Sequence, residues 1–170
     1  MRYPRLLLSL VLCFAAGGAA CAGDSATPLE PTPSYGLLDV ISGVLLQCAP
    51  LPSSSSTVVM GPDGGSIAFG PHLLVVPSGA LSAPVAIKAE VVSGTVNSVR
   101  FQPEGLHFAK PAALTLSYGN CSGLGMLLPK KIAYTSELLS ILELLQSVDL
   151  SGEKQVVGKL NHFSRYAVAY

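Results

Sequence analysis

Short apolar runs separated by turn residues fill the chain from Thr57 to its end. The runs are VVM, SIAF, LLVV, VAIKAEVV, ALTLSY, KIAYT, KQVVGKL and SRYAVAY. Between them stand GPDGG, VPSGAL, QPEGL and LSG, in which glycine supplies the positive φ that tight turns need. The runs recur about every ten residues, without a crossover helix pattern between them. This spacing predicts an all-β fold, an antiparallel β-sandwich or barrel, over residues 57–170.

The run SELLSILELLQS, which includes residues 138–147, has two interpretations. Leu138, Ile141, Leu142 and Leu145 would lie on one side of an amphipathic helix. The same letters also fit a turn, SELL, followed by a strand, SILELLQS. Periodicity alone does not distinguish the helix from the turn and strand.

A different pattern precedes Thr57. Residues 22–35 carry three prolines among small polar residues and predict an extended tether. In residues 36–48 the apolar positions fall mostly on one helical face, which predicts a short helix, although Gly43 weakens it. The run PLPSSSS then leads into the first strand. We therefore assign residues 21–56 to a tether with a short apolar segment.

The first twenty residues have the pattern of an export signal. Arg2 and Arg5 give a positive start, LLLSLVLCFAA gives an apolar core, and GGAACAG gives small residues for cleavage. The apolar core is shorter than the roughly 20 residues that a membrane-spanning helix needs. Residues 1–20 are therefore predicted to be removed.

The cleavage region resembles the lipobox of bacterial lipoproteins. In Gly18-Ala19-Ala20-Cys21 the cysteine stands where that family is lipidated, although the family prefers a branched aliphatic residue at the position of Gly18. The resemblance implies a lipid on Cys21 that holds an exported protein on the bacterial cell envelope. With Ala22 next, lipoprotein sorting rules imply the outer membrane in a two-membrane cell. The alternative is ordinary A-x-A cleavage after Ala22, giving a secreted or periplasmic protein.

Charge and composition limit the classes of binding partner that we expect. Charged residues are 12% of the 170, and tryptophan is absent. Without residues 1–20, 10 − 2 = 8 basic residues face 10 acidic ones, and no basic patch predicts nucleic-acid binding. The expected partners are the membrane, through the N-terminal lipid, and a protein or envelope polysaccharide.

The four cysteines have different predicted roles. Cys13 leaves with the signal and Cys21 is the predicted lipid site. An even pair, Cys48 and Cys121, remains in an exported chain and predicts a disulfide that closes a loop of 121 − 48 = 73 residues. Two separate free thiols are the alternative.

The folded part resembles the ZU-five domain, which zonula occludens proteins, netrin receptors and ankyrins share. The matching motifs are, in order, GPDGGSI (61–67), LVVPSGAL (74–81), PEGLHF (103–108) with KPAALTL (110–116), and HFS-x-Y (162–166). The resemblance covers about residues 58–170. It implies a β-sandwich and favours the strand interpretation of SILELLQS.

In some relatives of that domain the sequence His-Phe-Ser cleaves itself. Carried over here, the Ser164 hydroxyl would attack the Phe163 carbonyl with His162 as general base. The alternative is structural: Phe163 fills the core, Ser164 lies on a ladder of the last strand, and His162 makes a hydrogen bond at the strand start. Cleavage would release only residues 164–170, so the structural interpretation is favoured.

Other catalytic or metal chemistry lacks a sequence signal. His72, His107 and His162 are far apart in sequence, without a Cys or carboxylate at ligand spacing. There is no G-x-S-x-G and no phosphate loop, and we expect no enzyme, metal or cofactor.

We expect a lipid-anchored β-sandwich that acts as a non-catalytic structural or protein-interaction module, through loops or a sheet edge. A glycan-binding lipoprotein is the other possibility. It requires an exposed coplanar pair among the tyrosines Tyr118, Tyr134, Tyr166 and Tyr170.

Overall fold

The structure, a computed structural model, describes residues 44–170. The predicted signal, Cys21 and residues 22–43 of the predicted tether lie outside the described residues. The described chain contains these strands: β1 (Ser54–Met60), β2 (Gly65–Phe69), β3 (His72–Val76), β4 (Val85–Val92), β5 (Ser98–Gln102), β6 (His107–Ser117), β7 (Lys131–Thr135), β8 (Ile141–Leu144), β9 (Ser147–Leu150), β10 (Gln155–His162) and β11 (Arg165–Ala169). One 3-10 turn, Leu124–Leu127, precedes β7. None of the helices in this part of the chain is long and apolar enough to cross a membrane.

The strands form two antiparallel sheets. One has six strands in the order β1-β4-β5-β11-β7-β8, and the other has five in the order β2-β3-β6-β10-β9. Every described strand pairing is antiparallel. The predicted all-β antiparallel sandwich is confirmed.

Alternating apolar residues build the core between the sheets. In β3 the side chains of Leu74 and Val76 are buried while Leu73 and Val75 are exposed, as the two-residue period of a strand requires. The largest fully buried side chains come from both sheets: Tyr118, Tyr166, Phe69, Phe101, Phe163, Leu46, Leu74, Ile87, Leu114, Leu116, Ile132 and Leu160. β11 is buried along its whole length and lies between β5 and β7 in the larger sheet.

The ambiguous run SELLSILELLQS is a turn followed by a strand. The backbone N–H of Leu139 donates to the Ser136 carbonyl at 3.0 Å, and Leu139 has a φ of 62°. Strand β8 follows and pairs with β7 at the edge of the larger sheet. The strand interpretation is confirmed, and the helix over residues 138–147 is excluded.

The helix expected over residues 36–48 does not extend into the described part of that segment. Leu45 pairs with Ala169, Gln47 with Val96, and Cys48 with Cys121, all as antiparallel bridges. Leu46 and Cys48 are buried in the core. Pairing with strand ends satisfies the backbone here, whereas an isolated short helix is only marginally stable. Residues 44–56, assigned to the tether, therefore belong to the sandwich, and β1 begins at Ser54.

The sandwich has two ends, fixed by strand register. At one end β11 finishes: Val44, the Cys48–Cys121 pair and Tyr170 lie there, and we call it the disulfide end. At the other end β10 passes into β11 through residues 162–164, and we call it the corner end. Arg165 pairs with Thr135 and Ala169 with Lys131, so the β7–β8 turn is at the corner end.

Candidate functional site

His162, Phe163 and Ser164 link the two sheets. His162 ends β10 of the five-stranded sheet, and β11 of the six-stranded sheet begins at Arg165. The tripeptide was expected to open the last strand with Ser164 on its ladder. It forms instead the corner at which the chain crosses the core, because consecutive strands here belong to different sheets.

Phe163 fixes this corner in the core. Its ring is fully buried, stacks on Phe101 at 5.0 Å between centroids, and meets Phe108 edge-on at 4.9 Å. Its backbone N–H donates to the Leu106 carbonyl at 2.8 Å, and its carbonyl accepts from the Gly105 N–H at 3.0 Å. The predicted core role of Phe163 is confirmed.

His162 and Ser164 do not form a base–nucleophile pair. The Nδ1 atom of His162 lies 3.5 Å from the Phe163 carbonyl oxygen and 3.5 Å from the Tyr166 hydroxyl. Ser164 is buried, and its carbonyl accepts from the Phe101 N–H at 3.1 Å. Within residues 44–170 no hydrogen bond joins the Ser164 hydroxyl to a histidine or carboxylate. The side chains needed for nucleophile activation are close in sequence but not connected.

The histidines are less isolated than the sequence suggested. The rings of His107 and His162 lie 5.6 Å apart at the corner end, since β6 and β10 are paired there. His72 lies at the disulfide end, buried, with Nδ1 accepting the Ser117 N–H at 3.1 Å. Burial lowers the pKa of His72 to about 4, so that it is neutral. The part of the chain that the structure describes holds no cluster of three or more His, Cys, Asp or Glu suited to a metal ion.

The tyrosines within residues 44–170 do not form the exposed coplanar pair expected of a glycan site. Tyr118 and Tyr166 are buried, and the rings of Tyr134 and Tyr166 meet at 45°. The Tyr118 hydroxyl donates to Asp149 at 2.5 Å, while the other Asp149 oxygen accepts the Lys130 N–H at 2.9 Å. Burial, and then the Asp149 carboxylate, raise the pKa of Tyr118. This group joins three strand ends and faces the interior.

The predicted disulfide between Cys48 and Cys121 is present. It joins the N-terminal segment to the loop after β6, and Ser122 adds an N–H bond of 3.1 Å to the Gln47 carbonyl. Beside it the side-chain amides of Asn97 and Asn120 bond each other at 2.7 and 3.0 Å. Covalent and polar links therefore hold the first described residues against the loop.

That loop carries two exposed leucines that the sequence reasoning missed. Leu124 is 84% exposed and Leu127 is 82% exposed. The available signal was the run from Gly119 to Pro129, eleven residues without a charge. We call residues 123–129 the leucine loop.

The outer side of the five-stranded sheet is a second apolar surface. Register places Leu73, Thr115, Val157 and Val148 in one row across four neighbouring strands, with Ala68 beside Leu73 on the fifth. Val148 is 62% exposed. We define the outer face by ten of the outward residues of these strands: Ser66, Ala68, Leu73, Val75, Ala113, Thr115, Val148, Leu150, Val157 and Lys159. Lys159 is the one charged member of this set. The polar residues Ser117 and Gln155 lie on the same side at the disulfide end.

Comparison with known proteins assigns the chain to no family. No family model matches the chain, and no curated protein matches it.

Proposed function

We propose that the chain is an exported bacterial lipoprotein, anchored through Cys21, whose ZU-five-like β-sandwich is a non-catalytic protein-interaction module. Residues 1–20 support export, and Gly18-Ala19-Ala20-Cys21 supports lipidation. The Cys48–Cys121 disulfide fits this proposal, because disulfides persist in oxidising compartments outside the cytoplasm.

The single observation that carries the interaction role is the outer face. Strand side chains that face water are normally polar in an antiparallel sheet, so that apolar and polar residues alternate. Here the outward row across the smaller sheet is Leu73, Thr115, Val157 and Val148, and it has no charge. Leu73 and Val148 are exposed, whereas Thr115 and Val157 are half-buried. A contiguous exposed apolar surface of this kind marks a protein-interaction site. The partner is a protein with a complementary apolar surface.

The anchor is tested by the mass of the mature N-terminus. The proposal expects a chain that begins at Cys21, carries acyl groups and stays with the membrane fraction. The variant Cys21→Ala should lose the acyl mass and leave the membrane. A wild-type chain that starts at Gly23 without lipid would contradict the anchor.

The outer face is tested by site-specific photocrosslinking in the native host. A photoreactive residue in place of Val148 should give a discrete protein adduct, and Val157→Lys should abolish it because a charge then stands in the row. Val59 is 67% exposed on β1 of the other sheet and provides the matched control position. Equal adducts at both positions, or an adduct that survives Val157→Lys, would argue against this face.

A further inference from the structure

The leucine loop presents two apolar side chains in one direction. Residues Leu124–Leu127 form a 3-10 turn, in which positions i and i+3 eclipse each other. Leu124 and Leu127 therefore lie on the same side, and both are almost fully exposed. Gly125 between them is buried: a Cβ there would meet the Tyr170 ring at 2.4 Å and Leu46 Cδ1 at 2.8 Å. The turn packs its glycine inward and its leucines outward.

The loop is held by a crosslink before it and by hydrogen bonds within the turn. The disulfide fixes Cys121, two residues before Gly123. Within the turn, the N–H of Met126 donates to the Gly123 carbonyl at 3.1 Å, and that of Leu128 donates to the Gly125 carbonyl at 3.2 Å. The two leucines are thus presented to water by a preorganised loop.

The chain enters the sandwich beside this loop. The Tyr170 N–H donates to the Val44 carbonyl at 3.1 Å, and the Leu46 N–H donates to the Val168 carbonyl at 2.9 Å. Cys21 lies 44 − 21 = 23 residues upstream of Val44. The chain from an anchor at Cys21 therefore joins the sandwich at the disulfide end, which also carries the leucine loop.

The chemistry of the loop suits a lipid surface. Residues 119–131 contain no acidic side chain, and the exposed Lys131 lies two residues after the loop, beyond the buried Lys130. Apolar side chains near a cation match the acyl boundary and the anionic headgroups of a bilayer interface. Protein hot spots are instead enriched in Trp, Tyr and Arg, with Leu under-represented, and the leucine loop has none of those three residue types.

We propose that the leucine loop inserts Leu124 and Leu127 into the interface of the phospholipid bilayer that carries the anchor. This inference rests on the lipid-anchored orientation of the proposed function. The N-terminal lipid holds the protein at the membrane, and the two leucines give the domain a second contact that fixes its orientation. The corner end and its residues 162–164 then face away from the bilayer.

Tryptophan fluorescence tests this contact, because the sequence contains no tryptophan. Leu124→Trp and Leu127→Trp each place one fluorophore in the loop. Leu138→Trp is the matched control, since Leu138 is a 90% exposed leucine in a turn at the opposite end of the sandwich. The mature chain is coupled through the Cys21 thiol to a maleimide lipid in vesicles of phosphatidylethanolamine and phosphatidylglycerol. Brominated acyl chains serve as the quencher.

On coupling, Leu124→Trp and Leu127→Trp should shift emission to shorter wavelength and be quenched by the brominated chains. Leu138→Trp should keep its wavelength and intensity. Adding Leu127→Asp to Leu124→Trp should abolish the shift. Three variants that behave alike, or loop variants that stay unshifted and unquenched, overturn the bilayer contact and leave the loop as a surface for a protein.

The chemical coupling separates this test from that of the proposed function. Cys48 and Cys121 are joined, so Cys21 is the remaining thiol of a chain without residues 1–20. The artificial anchor forms whether or not the cell lipidates Cys21. A mature protein without acyl groups refutes the natural anchor, and quenching in the coupled protein reports the loop alone.

Discussion

The hydroxyl of Tyr166 donates a 2.6 Å hydrogen bond to the backbone carbonyl of His162, four residues earlier. The bond closes the corner at which the chain leaves β10 and enters β11. It is similar to the tyrosine corner of immunoglobulin-type sandwiches, in which a tyrosine hydroxyl bonds to backbone a few residues upstream. Tyr166 is buried and His162 is half-buried, so this bond lies at the edge of the core.

Tyr166→Phe should therefore destabilise the domain without changing its fold. The His162 carbonyl would lose this partner, at a cost of about 1 kcal/mol in the free energy of unfolding. Urea denaturation followed by far-UV circular dichroism measures it. Tyr134→Phe is the matched control, because the Tyr134 ring packs 5.9 Å from Tyr166 and no hydrogen bond of its hydroxyl occurs within residues 44–170. Equal losses in both variants would contradict a special role for the corner bond.

The corner should not cleave itself. His162 is bonded to neither the Ser164 hydroxyl nor an orienting carboxylate in the described residues, and the φ angles of residues 162–164 are all negative. Intact-mass measurement of the purified protein should give a chain that retains residues 164–170. Ser164→Ala should differ only by the mass of one oxygen. Loss of residues 164–170 in the wild type, abolished by that substitution, would establish self-cleavage.

Much of the fold follows from local patterns in the sequence. In β4 the alternation of Ile87, Ala89 and Val91 with partly exposed residues indicates a strand with one buried face. The turn before β8 was identified because SELL fits a turn and the resemblance favours a strand after it. β5 was missed, although Val99 and Phe101 alternate with polar residues, because its two apolar residues do not form a continuous apolar run.

The corner and the disulfide end depend on contacts that no local pattern encodes. Leu45 and Leu46 fit a helical face in sequence, but pairing with the end of β11 overrides that preference. The tripeptide 162–164 has the composition of a strand start, and only the assignment of β10 and β11 to different sheets makes it a corner. The outer face likewise cannot be recognised in any one segment, because its central row forms only when four strands pair in register.

The disulfide should contribute a large part of the free energy of unfolding of the domain. Cys48 and Cys121 are 73 residues apart, so the crosslink restricts the unfolded chain by about 4 kcal/mol on the chain-entropy estimate. The double variant Cys48→Ala/Cys121→Ala should lose roughly this amount in thermal or urea unfolding. Cys21→Ala is the control and should leave unfolding of the sandwich unchanged. A double variant as stable as the wild type would show that the crosslink does not constrain the unfolded state.

Gly125→Ala should disturb the packing beneath the leucine loop. The added Cβ would come within 2.4 Å of the Tyr170 ring, so the terminal tyrosine or Leu46 must move. Overpacking of this kind costs about 1–3 kcal/mol. Gly152→Ala is the matched control, since a Cβ there meets no atom within 4 Å. Chemical denaturation of the two variants compares them, and equal stability would indicate that Tyr170 moves away without loss.

His72 is the buried titratable group with the clearest consequence for stability. It packs 5.7 Å from the Phe69 ring and accepts the Ser117 N–H through Nδ1. Its Nε2 atom is buried without a hydrogen-bond partner in the described part of the chain. A proton on this ring would bring an uncompensated charge into the core, and burial accordingly lowers the pKa from 6.5 to about 4.

Stability should therefore fall as the pH is lowered from about 6.5 to about 4. In that window the unfolded state binds a proton at residue 72 and the folded state does not, so protons favour unfolding. The shift of 6.5 − 4 corresponds to at most about 3 kcal/mol; the loss is complete near pH 4 and absent above pH 7. Urea unfolding across the window measures it. His72→Asn cannot titrate, and its profile should lack this component, although its stability at neutral pH should be lower. Wild-type and variant profiles that run parallel would show that His72 stays neutral in both states or is protonated in both.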